Sequence, residues 1–150
     1  MKDSSLYQIY FDSEVEDKKQ VYELIENIVC KSDTAGNKEM ILEQLENREK
    51  VGSSLIHEHI ILPHLESNYL SGTQILFIKP QKSIAWNDSI KDINLIIVIL
   101  LKADEELATK KEISMFTRSL ASEDFLDELL NSDRKNDFEE TLLKFQEEHI

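Results

Sequence analysis

The chain has 150 residues, and its 30 acidic against 17 basic side chains give it a formal net charge of -13. So acidic a chain repels phosphate backbones, which argues against direct binding of DNA or RNA and favours a basic protein partner. Hydrophobic residues make up 41% of the sequence, which is typical of a globular protein. The length suits a single domain over residues 1–150 with one sizeable core.

The N-terminal stretch is too polar for a signal peptide, and the longest apolar run, Leu95 to Leu101, is too short to span a bilayer. Because Cys30 is the single cysteine, the chain cannot form an internal disulfide. It falls in the apolar pattern of a predicted helix, which favours a buried structural thiol over a reactive one. We therefore expect a cytoplasmic protein. There is no Gly-rich phosphate loop, and we expect no cofactor.

The first part of the chain predicts one strand and two helices. Residues 1–17 begin with apolar alternation, which favours a short strand or an extended lead-in. From Lys18 to Cys30 apolar residues recur at steps of three and four, which predicts an amphipathic helix. Lys31 to Asn37 is predicted to be a loop, and a second helix should run from about Lys38 to Arg48.

The next segment predicts a turn and a strand that proline stops. Gly52, Ser53 and Ser54 are typical of a turn, and the apolar run that starts at Ile60 ends at Pro63. Proline lacks an amide hydrogen and disfavours helix in the residue before it. His64 is therefore expected at a strand end, where the backbone leaves the sheet.

The second half predicts two strands followed by three helices. Thr73 to Lys79 is the first strand, and the almost continuously apolar run from Ile93 to Leu101 suits a central strand covered on both faces. Helices should follow over 104–120, 123–130 with Ser122 as N-cap, and 137–147. This order predicts an α/β fold, a sandwich of a mixed, mostly antiparallel sheet of about five strands with helices packed on it.

Three of the four histidines, His57, His59 and His64, fall within eight residues. A metal site is one interpretation, because His57 and His59 would share one face of a strand and a third histidine lies nearby. A second interpretation is that the three are simply solvated surface histidines beside a turn.

Phosphoryl transfer is the third interpretation. Neutral imidazole is a good nucleophile, with an unperturbed pKa of about 6.5. A phosphohistidine needs an exposed ring nitrogen, a fixed tautomer and donors for the phosphoryl oxygens, and a guanidinium supplies such donors well. Arg48 is the closest upstream arginine, and Ser53 and Ser54 offer hydroxyl groups between it and His64. Spacing alone does not decide among the three interpretations.

The segment NREKVGSSLIHEHIILPH resembles the signature of the enzyme IIA domains of the fructose/mannitol class of the bacterial sugar phosphotransferase system, approximately R-E-x-x-G-S-T-G-I-G-x-G-I-A-I-P-H-G. The two align without a gap from Arg48 to His64, and Ser54 stands at a usual threonine. The resemblance extends over nearly the whole chain through its length, the long apolar strand and the helices after it. The matching residues are Arg48, Glu49, Gly52, Ser53, Ile56, Ile60, Pro63 and His64.

The resemblance implies a role for each matched residue. His64 would accept a phosphoryl group from the small phosphocarrier protein HPr and pass it to a IIB domain. Arg48 would compensate the phosphate charge, and Ser53 and Ser54 would help the turn donate hydrogen bonds. The resemblance also implies an α/β sandwich with a mixed sheet of about five strands.

The chain departs from the family pattern in two ways. Leu55, His57, His59 and Leu65 stand where glycine is common, and glycine allows positive φ and close approach of backbone amides to phosphate. The second histidine found in many members is also missing, with Thr109 roughly in its place, although His57 or His59 would be candidates to substitute near the phosphoryl group. These departures favour a domain of a transcription regulator or antiterminator, which either keeps the phosphoacceptor chemistry or acts as a non-transferring interaction module.

Overall fold

The computed structural model describes residues 6–29 and 35–148, with the side chains of 35–37 and 146–148 outside that description. The chain divides into two compact units after Asp104. One domain over residues 1–150 therefore stays a prediction, and Cys30 lies outside the described residues. The first unit contains β1 (Tyr7–Ser13), α1 (Lys18–Val29), α2 (Ala35–Val51), β2 (Leu55–His57), β3 (Ile60–Ile61), β4 (His64–Ser67), β5 (Gln74–Pro80) and β6 (Leu95–Lys102), and the second contains α3 (Leu107–Ser119), α4 (Glu123–Leu130) and α5 (Lys135–Glu148).

The strands of the first unit form one mixed sheet in the order β1-β5-β6-β3-β2, with β4 also paired to β6. The predicted α/β class with a mixed sheet is confirmed. The predicted excess of antiparallel pairs is wrong, because β1–β5, β3–β6 and β4–β6 are parallel and only β5–β6 and β2–β3 are antiparallel. The helices α1 and α2 lie in the connection after β1, and a long crossover of this kind lets strands pair in parallel.

The strands β3 and β4 are two parts of one line of backbone beside β6. Ile61 pairs with Ile96 and His64 pairs with Ile99, so the register is the same on both sides of the break. Pro63 causes the break because it has no N–H to donate, but its carbonyl still accepts from Ile99 N at 3.1 Å. The expectation that the backbone leaves the sheet at His64 is therefore wrong, since His64 is the first residue of β4.

The main core of the first unit lies between the sheet and the helices α1 and α2. Val21 and Ile25 of α1, and Ile41 and Leu45 of α2, are almost fully buried there against alternate residues of the strands. The strand β6 is buried along both faces from Leu95 to Leu100, as its unbroken apolar run predicts. Burial of the α2 stripe, which ends at Leu45, holds this helix beside β4.

The helix predictions hold in type and differ in extent. The helix α2 begins at Ala35 and ends at Val51, so it takes in residues 35–37 that were assigned to a loop and three residues beyond Arg48. Burial of one apolar stripe stabilises a helix beyond the length that local helix propensity alone predicts. None of the helices in the described ranges has the length and apolarity to cross a bilayer.

Within the second unit, three phenylalanines connect the helices. Phe116 of α3, Phe125 of α4 and Phe145 of α5 lie with ring centroids 5.3 to 6.5 Å apart. Ser122 caps α4, as predicted, because its hydroxyl accepts a hydrogen bond from Phe125 N at 3.2 Å.

Candidate functional site

The centre of the site is the exposed imidazole of His64 and the guanidinium of Arg48. Arg48 lies in the last turn of α2 and its Nε donates a hydrogen bond to His64 Nε2 at 3.2 Å. The same guanidinium closes the helix end, since Nη1 donates to the Gly52 carbonyl at 3.3 Å. Arg48 is thus fixed at two points, one of which is the imidazole.

These contacts select one tautomer of His64. A guanidinium only donates hydrogen bonds, so Nε2 is the ring nitrogen that carries a lone pair. The proton of the neutral ring is then on Nδ1, which lies 3.4 Å from the Leu62 carbonyl oxygen. The bond is long but correctly placed, and it orients the ring with Nε2 directed at the arginine.

The two serines of the turn have different surroundings. Ser53 is exposed, and its hydroxyl oxygen accepts a hydrogen bond from Leu55 N at 3.1 Å, which stabilises the turn. Ser54 is 5% exposed, and its hydroxyl has no hydrogen-bond partner among the described residues. Its carbonyl accepts from Leu62 N at 2.8 Å, which connects the turn to the strand that leads into His64.

The space beside the turn is open. A Cβ placed on Gly52 would meet no atom within 4 Å, and Val51 before it is 83% exposed. Glycine is therefore not required by packing at position 52, and Arg48, whose guanidinium bonds to the Gly52 carbonyl, is partly exposed.

His57 and His59 lie elsewhere. Glu58 and His59 form the turn between β2 and β3, so the two histidines do not share a strand face as the metal interpretation requires. The carbonyl of His59 accepts from the backbone of Asn94 at 2.9 Å, whereas His64 pairs with Ile99. Four or five residues of strand separate these points, which corresponds to about 13–17 Å.

The side chain of His59 has partners of its own. Its Nδ1 donates to the Asp92 carbonyl at 2.9 Å and lies 3.3 Å from the Asp92 carboxylate, while Nε2 lies 3.7 Å from Glu58. His57 Nδ1 accepts from the backbone of His59 at 3.0 Å. The structure therefore brings together Arg48, His64 and the Gly52 turn, and it separates His57 and His59 from them.

The glycine positions of the signature carry no backbone strain in this chain. Among the described residues that are not glycine, positive φ occurs only at Asp12 and Asp104, so His57, His59 and the two leucines are in ordinary conformations. Side chains at these positions are compatible with the fold.

A metal cluster and the acidic recess in the second unit are the two alternatives to this site. In the part of the chain that the structure describes, no three His, Cys, Asp or Glu side chains converge to hold a metal ion. An open recess of about 700 Å³ in the second unit contains none of the predicted site residues. Its carboxylates are Asp124, Asp127, Glu128, Asp137 and Glu140.

Sequence reasoning missed three groups of the site: the carbonyls of Gly52 and Leu62, and the indole of Trp86. Trp86 Nε1 donates to Glu49 Oε2 at 3.3 Å, on the residue next to Arg48. Carbonyl acceptors have no sequence signature, although Gly52 stands four residues after Arg48 at a helix end, where such a bond is geometrically allowed. The Trp86 contact joins residues 37 positions apart, and only the folded chain reveals it.

Comparison with solved structures defines the class of protein by fold. The chain is similar to the nitrogen regulatory protein IIA-Ntr of Neisseria meningitidis, with a TM-score of 0.70 and 19% identity over 91% of this chain and 96% of that one. It is similar to IIA mannitol of Escherichia coli, with a TM-score of 0.64 and 18% identity over 90% and 95%. In the complex of E. coli enzyme IIAMTL with phosphorylated enzyme IIBMTL, the match has a TM-score of 0.66 and 15% identity over 96% and 98%. The fold is that of these IIA proteins.

The family model named phosphoenolpyruvate-dependent sugar phosphotransferase system, EIIA 2, matches residues 5–145. The chain belongs to this family. A search of curated protein sequences finds no match.

Proposed function

We propose that the protein carries a phosphoryl group on His64 Nε2, accepting it from an HPr-type phosphocarrier. The observation that carries the proposal is the 3.2 Å hydrogen bond from Arg48 Nε to the Nε2 atom of an exposed histidine. Membership of the EIIA family supports it independently.

The chemistry follows from the tautomer. The Nε2 lone pair attacks the phosphorus atom of the donor's phosphohistidine, the Nε2–P bond forms, and the donor N–P bond breaks with its electron pair returning to the donor imidazole. The His64 ring becomes positively charged and keeps its Nδ1 proton directed at the Leu62 carbonyl, which stabilises that charge. Arg48 Nε–H, released from Nε2, donates to a phosphoryl oxygen.

Neighbouring groups complete the proposed site. The Ser53 hydroxyl hydrogen, unused in its bond to Leu55 N, is available to a phosphoryl oxygen. Ser54 would contribute its buried hydroxyl only after a local adjustment of the turn. His57 and His59, which the sequence suggested as phosphoryl-binding residues, have no such role in this proposal because of their separation from His64.

The proposed acceptor is a IIB domain, since a related IIA protein is seen in complex with phosphorylated IIB. A net charge of -13 suits partners with basic surfaces. A cytoplasmic location, where phosphoenolpyruvate and HPr would meet the protein, is part of the proposal.

A regulatory module without transfer is the second candidate function. The similarity to a protein titled nitrogen regulatory supports it, as does the residue Thr109 at the position where many members have a second histidine. In that case the domain would bind other domains of a transcription regulator or antiterminator.

Labelling with radioactive phosphoenolpyruvate, HPr and the enzyme that phosphorylates HPr tests the proposal. We expect stoichiometric label that is lost in His64→Ala and retained in the matched control His59→Ala. Arg48→Lys should slow labelling by about tenfold to a hundredfold, the equivalent of one charged hydrogen bond. Label surviving in His64→Ala would refute the acceptor assignment, and a folded wild type that takes no label would favour the regulatory module.

A further inference from the structure

The C-terminal end of α2 carries Arg48 and has few contacts to hold it in place. From position 46 to 53 every residue is exposed except Arg48 and Glu49. The last carbonyls of a helix lack intrahelical partners, and helix ends fray unless something fixes them. The direction in which Arg48 points therefore depends on what these two side chains contact.

Glu49 reaches a rigid part of the core. Its Oε2 accepts the Trp86 indole N–H at 3.3 Å, and Trp86 is 3% exposed. The indole packs edge-on against Tyr22 at 5.8 Å and 79°, and the backbone N of Trp86 donates to the Ile90 carbonyl at 2.7 Å. A buried indole N–H needs an acceptor, so the bond also satisfies Trp86.

A second observation places the Glu49 carboxylate against this part of the core. Burial first, and then the negative charges of Glu49 and Glu46, raise the pKa of Tyr22. The carboxylate therefore acts on the face of the core formed by α1 and Trp86, while the adjacent Arg48 extends toward β4.

We propose that Glu49 is a positioning residue: through the Trp86 indole it holds the end of α2 so that Arg48 Nε stays on His64 Nε2. Glu49 touches neither the imidazole nor a phosphoryl group and acts through Arg48. The consequence for transfer rests on the proposed function, whereas the consequence for the His64 tautomer does not.

The test is ¹⁵N NMR of the histidine side chains in the full chain, combined with the labelling rate. In the wild type we expect His64 to be protonated mainly on Nδ1. Glu49→Ala and Trp86→Phe should each shift the His64 ring toward the tautomer protonated on Nε2, which is the one that a histidine side chain prefers in water. Each variant should also slow labelling about tenfold. Glu49→Gln keeps an acceptor for the indole and should restore both readouts.

Glu46→Ala is the matched control, since it removes a carboxylate one turn earlier that also acts on Tyr22. It should leave the tautomer unchanged, and the double variant Glu49→Ala/Trp86→Phe should be no worse than either single variant. An unchanged His64 tautomer in a folded Glu49→Ala variant, or an equal shift in Glu46→Ala, would overturn the proposal. A tautomer shift in a chain that takes no label would leave the positioning role intact and refute the phosphoryl transfer.

Discussion

Two side chains of opposite charge, Arg48 and Glu66, lie near His64. The strand β4 alternates between exposed and buried residues, so His64 and Glu66 lie on the same exposed face, about 6–7 Å apart along the backbone. If His64 carries a phosphoryl group as proposed, Arg48 would offset its charge and Glu66 would repel it. On the proposed function, the balance of these two residues sets how readily the phosphoryl group leaves.

We predict that Glu66→Gln lengthens the lifetime of the phosphorylated protein about three- to tenfold at low salt, because it removes a like charge near the phosphoryl dianion. The effect should shrink as ionic strength rises. The measurement is the loss of radioactive label over time in protein separated from its donor. Glu58→Gln is the control, since it makes the same substitution in the β2–β3 turn, away from His64; a similar gain there would contradict a local effect.

At the scale of elements, the β2–β3 hairpin shows how a family pattern can mislead. Glycines in a signature suggest positive φ, but here the hairpin turn has ordinary φ values and His59 adds contacts to Asp92. Restoring glycine would therefore remove contacts without relieving strain.

We predict that His59→Gly lowers the free energy of unfolding by about 1–2.5 kcal/mol, from greater freedom of the unfolded backbone and the lost hydrogen bond. His59→Ala, which loses the side-chain contacts but has no added backbone freedom, should fall between the wild type and the glycine variant. Urea denaturation measures all three. A glycine variant more stable than the alanine variant would mean that position 59 does require glycine.

Some of the helices and strands could be predicted from the sequence. The periodicity of α1, the N-cap of α4 and the apolar run of β6 were all predicted, because each depends on neighbouring residues. The strand β2 and the continuation of the sheet through His64 were not. Both depend on pairing with strands that are distant in sequence. From its neighbours alone, Pro63 predicts the end of a strand, but pairing with β6 keeps the same register on both sides of it.

At the scale of the whole molecule, stability should depend on a buried tyrosine at alkaline pH. Burial, assisted by Glu49 and Glu46, raises the pKa of Tyr22 above its ordinary value of 10.0. Because the folded state holds this proton more tightly, its contribution to stability is complete below pH 10 and is lost as the pH rises above that value.

We predict that the wild type loses about 1.4 kcal/mol of unfolding free energy per pH unit above pH 10 relative to Tyr22→Phe, which has no proton to lose. Urea titrations at several values between pH 8 and pH 11 measure the difference. Tyr69→Phe, at a 37% exposed tyrosine, serves as the control and should follow the wild type. Parallel pH profiles for the wild type and Tyr22→Phe would contradict the prediction.

The sequence by itself determined the family, the helices with strong apolar stripes, the mixed character of the sheet and the pairing of Arg48 with His64 as candidates. The helices follow from apolar spacing within short segments, and the mixed sheet follows from the order of the elements. The family and the pairing of Arg48 with His64 rest on the resemblance of the Arg48–His64 segment to a known signature. Only the tertiary structure decided which nitrogen of His64 faces the arginine, that His57 and His59 lie apart from it, and that Trp86 supports the end of α2. Those features depend on hydrogen bonds and burial between segments that meet only when the sheet assembles, and no local pattern encodes such distances.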